Sequence, residues 1–467
     1  MSWSYFIEIS QWVFLLYFSG INLGYLILNF TAVYSIYHYM NEHVVSELPG
    51  GASDVLPPVS LLVPGYNEEE TIVASIHALL QLDYPEYEII IINDGSKDKT
   101  IDVLIEAFDL IEFPEAYRNR IDTKPIRQFY RSSTNHKIRV IDKENGGKAD
   151  AINVGINAAL YPLFCTVDAD SILQQNSLQR VVQPFLEDSD TIASGGTVRV
   201  VNGCKVKKGF LYRAGMPDHP LAIFQIIEYL RAFLFGRLGW SPMNALLIIS
   251  GAFGVFHKET VVSVGGYRND TVGEDMELVV RLHRILRKRK KPYRITFVPD
   301  PICWTEAPES IRVLARQRIR WQRGLAESLF GNISLLFNPR SGAVGFFAFP
   351  FMLLFECLGP VVEFFGYIII TTGYIQGLIT TEIFLMLLAV AIGFGILLSI
   401  TALLLEELSF HVYQKPTDII KLFVGVVFEN VGYRQLTSFW RMIGFTQWIL
   451  GKKGSWGEMT RKPTWKQ

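Results

Sequence analysis

The chain has 467 residues, room for two or three domains, and a formal net charge of −1 that argues against nucleic acid as its main partner. Almost half of it is apolar (49%) and 32 residues are Phe, so part of it is expected in lipid rather than in water. The four cysteines (Cys165, Cys204, Cys303, Cys357) are scattered without a Cys-x-x-Cys pair, which disfavours a disulfide framework or a zinc site and fits reduced, buried thiols.

From about Gln11 to Tyr39 nearly every residue is apolar or aromatic, longer than the ~20 residues that span a bilayer. A cleaved signal peptide has a basic start and a shorter apolar core, whereas no Lys or Arg occurs before Lys97. The segment reads as an uncleaved transmembrane helix within residues 1–45. A linker over 46–58, with Gly-Gly and Pro-Pro, marks a domain boundary.

The pattern then changes. Val59–Val63 is a short apolar run stopped by Pro64, with a helix expected from about Glu69. Glu88–Asn93 is a second buried strand ending in Asp94-Gly95-Ser96, Ile138–Ile141 a third, and Lys148–Leu160 a helix. The insert Phe113–Lys137 looks polar and irregular and is assigned no role. A fourth strand, Phe164–Val167, delivers two carboxylates, Asp168 and Asp170, which share a face in an extended backbone. Strands alternating with helices predict a Rossmann-like α/β unit with a mainly parallel sheet, whose ligands gather at the carboxyl ends of the strands. Asn67, Asp94 and Asp168 all fall there.

Beyond lie Ile192–Val200, a Lys- and Gly-rich linker (Gly203–Pro220) and an apolar segment, Leu221–Phe235, too short to span and expected to lie at the membrane interface. Ser250–Phe256 reads as a strand whose glycines admit a close approach by a ligand or backbone. Gly273-Glu274-Asp275 opens a helix that ends in the basic run Arg287–Lys291, expected as a solvated face, with contact to an anionic inner leaflet the alternative. Spans are placed near Ala343–Tyr374, with a bend at Pro350 or Pro360, and Glu382–Leu405. No Lys or Arg occurs between Arg340 and Lys415, so the connection near Gln376 is expected outside and both flanks inside. Residues 411–467 read as a re-entrant or surface-lying hairpin followed by a basic tail.

Two carboxylates at one strand end suit a hard divalent ion that keeps room for phosphate oxygens and water, the layout for a nucleotide diphosphate. Asp-x-Asp alone is more often a capped turn. It coincides here with Pro64-Gly-Tyr-Asn-Glu68, Asn93-Asp94-Gly95-Ser96, Gly147-Lys148, Gly273-Glu274-Asp275 and Gln317-Arg-Ile-Arg320-Trp321. In this order the motifs resemble the family 2 glycosyltransferases, inverting enzymes of GT-A fold. Gln-x-x-Arg-Trp is similar to the processive membrane-embedded branch that makes poly-N-acetylglucosamine, chitin, hyaluronan and cellulose. The resemblance covers about Val59–Leu325, and the ending Gly432-Tyr-Arg434, Trp440-Arg441 and Ser455-Trp456-Gly457 looks like bacterial members. Two departures stand out: one amino-terminal span where many relatives have two, and Gly273 where Thr often precedes Glu-Asp.

The resemblance implies an α/β GT-A domain over 59–330, cytoplasmic and combined with transmembrane helices over 331–410 in the plasma membrane. It implies that Asp94, Tyr66 and Glu68 lie at the nucleotide, and Lys148 and Arg320 at the donor's diphosphate. Asp170 and Asp168 hold Mg²⁺ or Mn²⁺, with Asp168 also contacting nucleotide or donor sugar; their ranking stays open. Asp275 is the candidate base for the acceptor hydroxyl, since a carboxylate in the first turn of a helix stays ionised; a merely capping role for Glu274 and Asp275 is the alternative. Gln317, Arg320 and Trp321 share a helix face, with Trp321 offering a ring to the acceptor's terminal sugar beside Gln317 and Glu274. The implied partners are a UDP-sugar, a growing polysaccharide or lipid-linked acceptor and membrane lipids, with room for a small accessory membrane subunit. A single-transfer enzyme acting on a lipid acceptor would share the carboxylates without needing the Gln-x-x-Arg-Trp platform.

Overall fold

The computed structural model describes residues 3–43, 56–207 and 209–452. The expected linker lies outside the described residues except for its last three positions, as do Ser455-Trp456-Gly457 and the basic tail beyond Lys452.

Helix α1 (Trp3–His43) runs for 41 residues, about 60 Å at 1.5 Å per residue, twice the hydrocarbon thickness of a bilayer. Phe14, Phe18 and Ile21 face other helices, while Trp12, Leu16, Leu23, Ile27 and Phe30 point outward. An apolar outer band of this size suits lipid. The far end of α1 reaches the α/β unit, where the Tyr39 hydroxyl donates to the Asp300 carboxylate.

The α/β unit alternates β1 (Val59–Gly65), α2 (Ile72–Leu79), β2 (Tyr87–Asn93), α3 (Thr100–Phe108), β3 (Leu110–Glu112), β4 (Ile126–Ser132), β5 (Ile138–Lys143), α4 (Lys148–Ala158), β6 (Leu163–Val167), β7 (Ile172–Leu173), α5 (Ser177–Glu187) and β8 (Thr191–Val200). A hairpin of β9 (Lys205–Lys207) and β10 (Phe210–Arg213) follows, then α6 (Pro220–Leu230), β11 (Phe253–His257), α7 (Lys258–Ser263), α8 (Glu274–Lys288), β12 (Arg294–Thr305) and α9 (Ile311–Phe330). Ten strands form one sheet in the order β3-β4-β5-β2-β1-β6-β11-β8-β12-β7. Its centre, β5-β2-β1-β6, is parallel, and these strands are almost wholly buried. Antiparallel strands extend it on either side.

Three expectations change. Pro64 lies inside β1, not after it. The supposedly irregular insert contains β4, an antiparallel strand on β5, which its charged outer face had hidden. The segment Leu221–Phe235 forms α6 and a π-helical turn whose Ile226, Ile227, Leu230 and Leu234 are buried against β8 and the carboxy-terminal helices; it is an internal layer.

The carboxy-terminal region is helical. α10 (Phe349–Phe351) sits between two π-helical turns in the stretch Val344–Cys357, and α11 (Gly359–Ile375) follows at a 43° bend. The break falls beside Pro360, in the first turn of α11, where its missing N–H does no harm. α12 (Thr381–Leu388) and α13 (Phe394–Ser409) join through a π-helical turn into one helix, Thr381–Ser409. By length and composition, Tyr5–Asn41 and Thr381–Ser409 can cross a membrane, and the bent pair is a third span if counted as one. α14 (Pro416–Phe428) and α15 (Arg434–Ile449) meet at a non-helical break at Val431–Gly432, and α15 packs along α9.

Candidate active site

The carboxyl ends of β1, β2 and β6 carry the expected residues, as parallel strands require. β6 presents Asp168 and Asp170 to a cavity of about 900 Å³. Lys148, first residue of α4, pairs with Asp168 and donates at 3.0 Å to the Gly251 carbonyl. Burial opposes its charge, but Asp168, Glu274 and Asp275 outweigh that and hold its pKa above the ordinary lysine value. Gly251 explains the glycines beside β11: a Cβ there would lie 3.2 Å from Asp275 Oδ2 and 3.5 Å from Lys148 Nζ.

Glu274 and Asp275 open α8 on the opposite wall. Asp275 is half-buried, lines the cavity and accepts at 2.8 Å from the Met276 N–H, a contact compatible with both the base and the capping reading. Glu274 is 5% exposed; burial pushes its carboxyl up to about 7, with Lys148 opposing and Asp275 reinforcing the rise. Gly273, the departure noted above, has a structural reason. A Cβ on it would stand 2.8 Å from Gly324 Cα, so α8 and α9 touch backbone to backbone. That contact brings Gln317, Arg320 and Trp321 of α9 into the same cavity.

Trp321 is 41% exposed, with the Arg318 guanidinium 4.3 Å from its ring centroid. Arg318 is buried and donates to Glu228 at 2.6 Å, and the Tyr433 hydroxyl donates to Glu228 at 3.0 Å. Arg318, Glu228 and Tyr433 were given no role at the site by the sequence reading. The i−3 spacing of Arg318 from Trp321 was the available signal; Glu228 and Tyr433 arrive from distant segments.

Eight of the expected residues therefore share one cavity: Lys148, Asp168, Asp170, Glu274, Asp275, Gln317, Arg320 and Trp321. Tyr66, Glu68 and Asp94 do not line it. Tyr66 is exposed at the end of β1, and Glu68 accepts from the Thr71 hydroxyl at 2.6 Å. Asp94 is 3% exposed, its carboxylate accepting from Lys143 Nζ at 2.6 Å and the N–H groups of Gly146 and Gly147 at 3.0 and 2.7 Å. Among the described residues no group of three or more His, Cys, Asp or Glu could enclose a metal. Asp168 and Asp170 instead place two carboxylates at one strand end, a donor set that would fit Mg²⁺ or Mn²⁺ with phosphate and water supplying the remaining ligands.

A second cavity, about 300 Å³, lies among the membrane-side helices and shares Glu228, Arg237, Ile248, Met352, Glu356 and Arg441 with the first. Its walls carry paired charges: Arg231 with Glu429 at 2.6 Å, and Arg434 with Glu363 and Arg441 with Glu356, each at 3.1 Å.

The chain belongs to glycosyl transferase family group 2, whose model matches residues 163–399. The model of glycosyl transferase family 2 also matches, over residues 60–213. Poly-beta-1,6-N-acetyl-D-glucosamine synthase of Staphylococcus aureus (strain COL) is 31% identical over 301 residues, covering 63% of this chain and 62% of that protein. The synthase of the same name from Staphylococcus epidermidis is 30% identical over 272 residues, covering 58% of this chain and 55% of that protein. The match thus spans less than two thirds of these relatives' own length. Among solved structures, the mannosyltransferase PcManGT from Pyrobaculum calidifontis, in complex with GDP-Man and Mn²⁺, aligns with a TM-score of 0.49 at 17% identity, covering 89% of this chain and 99% of that one.

Proposed function

We propose that the protein is an inverting, processive glycosyltransferase that adds sugars one at a time from a UDP-sugar to a β-linked polysaccharide and passes the product across the membrane. The observation that carries this is the cavity in which the strand end bearing Asp168 and Asp170, the acidic pair Glu274–Asp275 and the Gln-x-x-Arg-Trp helix come together, with walls shared with a second cavity among the helices. In this reading Asp170 and Asp168 hold Mg²⁺ or Mn²⁺, which when bound offsets charge on the departing diphosphate. Lys148 and Arg320 contact that diphosphate, with Asp94, Tyr66 and Glu68 on the nucleotide side. Asp275 takes the proton from the acceptor hydroxyl as its oxygen attacks the anomeric carbon. Trp321, with Gln317 and Glu274, seats the acceptor's terminal sugar.

N-acetylglucosamine is the favoured sugar, supported by the 31% identity to the staphylococcal synthase. Residues 59–330 form the catalytic domain on the cytoplasmic side of the plasma membrane, where nucleotide sugars are made. The chain crosses that membrane more than once, and its partners there are lipids and a small accessory membrane subunit.

The test is turnover by the purified chain in proteoliposomes with a panel of labelled UDP-sugars, with and without excess chelator. Long products that form only with available Mg²⁺ or Mn²⁺ are expected. One added sugar per acceptor would replace polymerisation with single transfer to a lipid. Undiminished turnover in chelator would remove the cation site.

A further inference from the structure

Lys143 ends β5 with its side chain fully buried, a rare setting for an ammonium. Its Nζ lies 2.6 Å from Asp94 Oδ1, at the end of β2, and 2.7 Å from Asp150 Oδ1, in the first turn of α4. It also donates to the Glu144 carbonyl at 2.5 Å. The Gly146 and Gly147 N–H groups complete the shell around Asp94. Gly146 has no space for a side chain, because a Cβ would stand 2.5 Å from Asp150 Oδ1. The next residue after this turn is Lys148, whose ammonium meets Asp168. A buried cluster and the cavity wall thus share one short turn.

Three donors occupy three of the roughly four acceptor positions of the Asp94 carboxylate, leaving one on Oδ2. We propose that Lys143, pinned by Asp150, is a positioning residue for donor binding: it fixes the Asp94 carboxylate and the Gly146–Gly147 turn so that Asp94 accepts an N–H of the donor's nucleobase while Lys148 faces the diphosphate. This rests on the sugar-nucleotide reading above. Burial pushes the Asp94 carboxyl above its ordinary value, and Lys143 with the two glycine N–H groups oppose the rise. The groups facing Asp94 are Lys143 from β5, Asp150 from α4 across the ammonium, and the Gly146 and Gly147 amides; Asn145 donates to the Asp94 main-chain carbonyl at 2.8 Å. Without the ammonium, less opposes the rise that burial imposes on the Asp94 carboxyl, and its protonated form accepts more weakly.

The experiment is calorimetric titration of the full-length chain in detergent with UDP and Mg²⁺, from pH 6 to 9. Lys143→Met is expected to weaken UDP binding about tenfold or more, most at the acid end of that range, with affinity returning as pH rises. The double variant Lys143→Met/Asp150→Asn carries the same cluster charge as the natural chain. It is expected to recover the thermal midpoint but not UDP affinity, and it alone is read if the single variant does not fold. Recovery of both would reduce Lys143 to charge balance and overturn the proposal. So would variants that bind UDP like the natural chain at every pH while that chain binds normally. A natural chain that does not bind UDP at all overturns the donor reading, and this inference with it.

Discussion

Asp275 and Glu274 are neighbours in sequence with different surroundings, and that difference gives each its own test. Asp275 is half-buried at the cavity, where a base must stand; Glu274 is buried against Lys148 and Asp275. Asp275→Asn is expected to lower turnover by about 10²–10⁴-fold, the usual worth of a positioned base, with UDP affinity within about twofold. UDP release and calorimetry measure the two terms separately. Glu274 gives a pH signature. Its folded pKa of about 7 exceeds the unfolded value of 4.5, so the folded chain binds a proton that the unfolded chain has released. Stability is therefore expected to fall as pH rises from about 4.5 to about 7, and Glu274→Gln should flatten that slope in ligand-free denaturation curves.

At the scale of elements, the contact between α8 and α9 matters most, because it brings the candidate base and the Gln-x-x-Arg-Trp face to one cavity. Gly273 and Gly324 meet through backbone atoms, which cannot rotate away as a side chain can. Gly273→Ala is expected to cost about 1–3 kcal/mol of stability and to reduce polymer length more than UDP binding, because the shift separates acceptor from base without touching β6. Gel analysis of labelled product beside UDP calorimetry checks it; unchanged product length would show that the helices tolerate the shift. α9 is held from behind by α15, where Arg441 Nε donates to Gln322 Oε1 at 2.8 Å and Arg441 Nη2 to the Glu356 carbonyl at 2.5 Å. The Gln-x-x-Arg-Trp face is therefore held by both the α/β unit and the helical region.

For the whole molecule, the connection between sheet and membrane helices includes a buried ion pair. Arg199 of β8 donates to Glu406 near the end of α13, both almost fully buried. Removing one partner leaves the other as an uncompensated charge, which typically costs about 3–5 kcal/mol. Glu406→Gln is expected to lower the denaturation midpoint accordingly in detergent, and Arg199→Met/Glu406→Leu to recover most of it. A single variant as stable as the natural chain would mean that solvent reaches the pair. The charge pairs around the second cavity follow the same logic: buried ionisable groups are costly unless paired.

Much of the site was legible in the sequence because parallel strands deliver residues to one edge. Asp168 and Asp170 follow an apolar strand, Glu274 and Asp275 open a helix, and Gln317, Arg320 and Trp321 repeat at helical spacing. Each fact is local, and the fold only had to bring the three together. The α/β alternation and the apolar spans were equally legible, since period and length leave a direct trace in composition. Tertiary structure alone decided the rest. β4 looked irregular because its outward face is polar, and α6 looked interfacial because its covering helices come some 200 residues later in the chain. Lys143 reads as an ordinary strand-end lysine until β2 and α4 bring carboxylates to either side of it. A buried charge is defined by its surroundings, and those come from segments that the sequence keeps far apart.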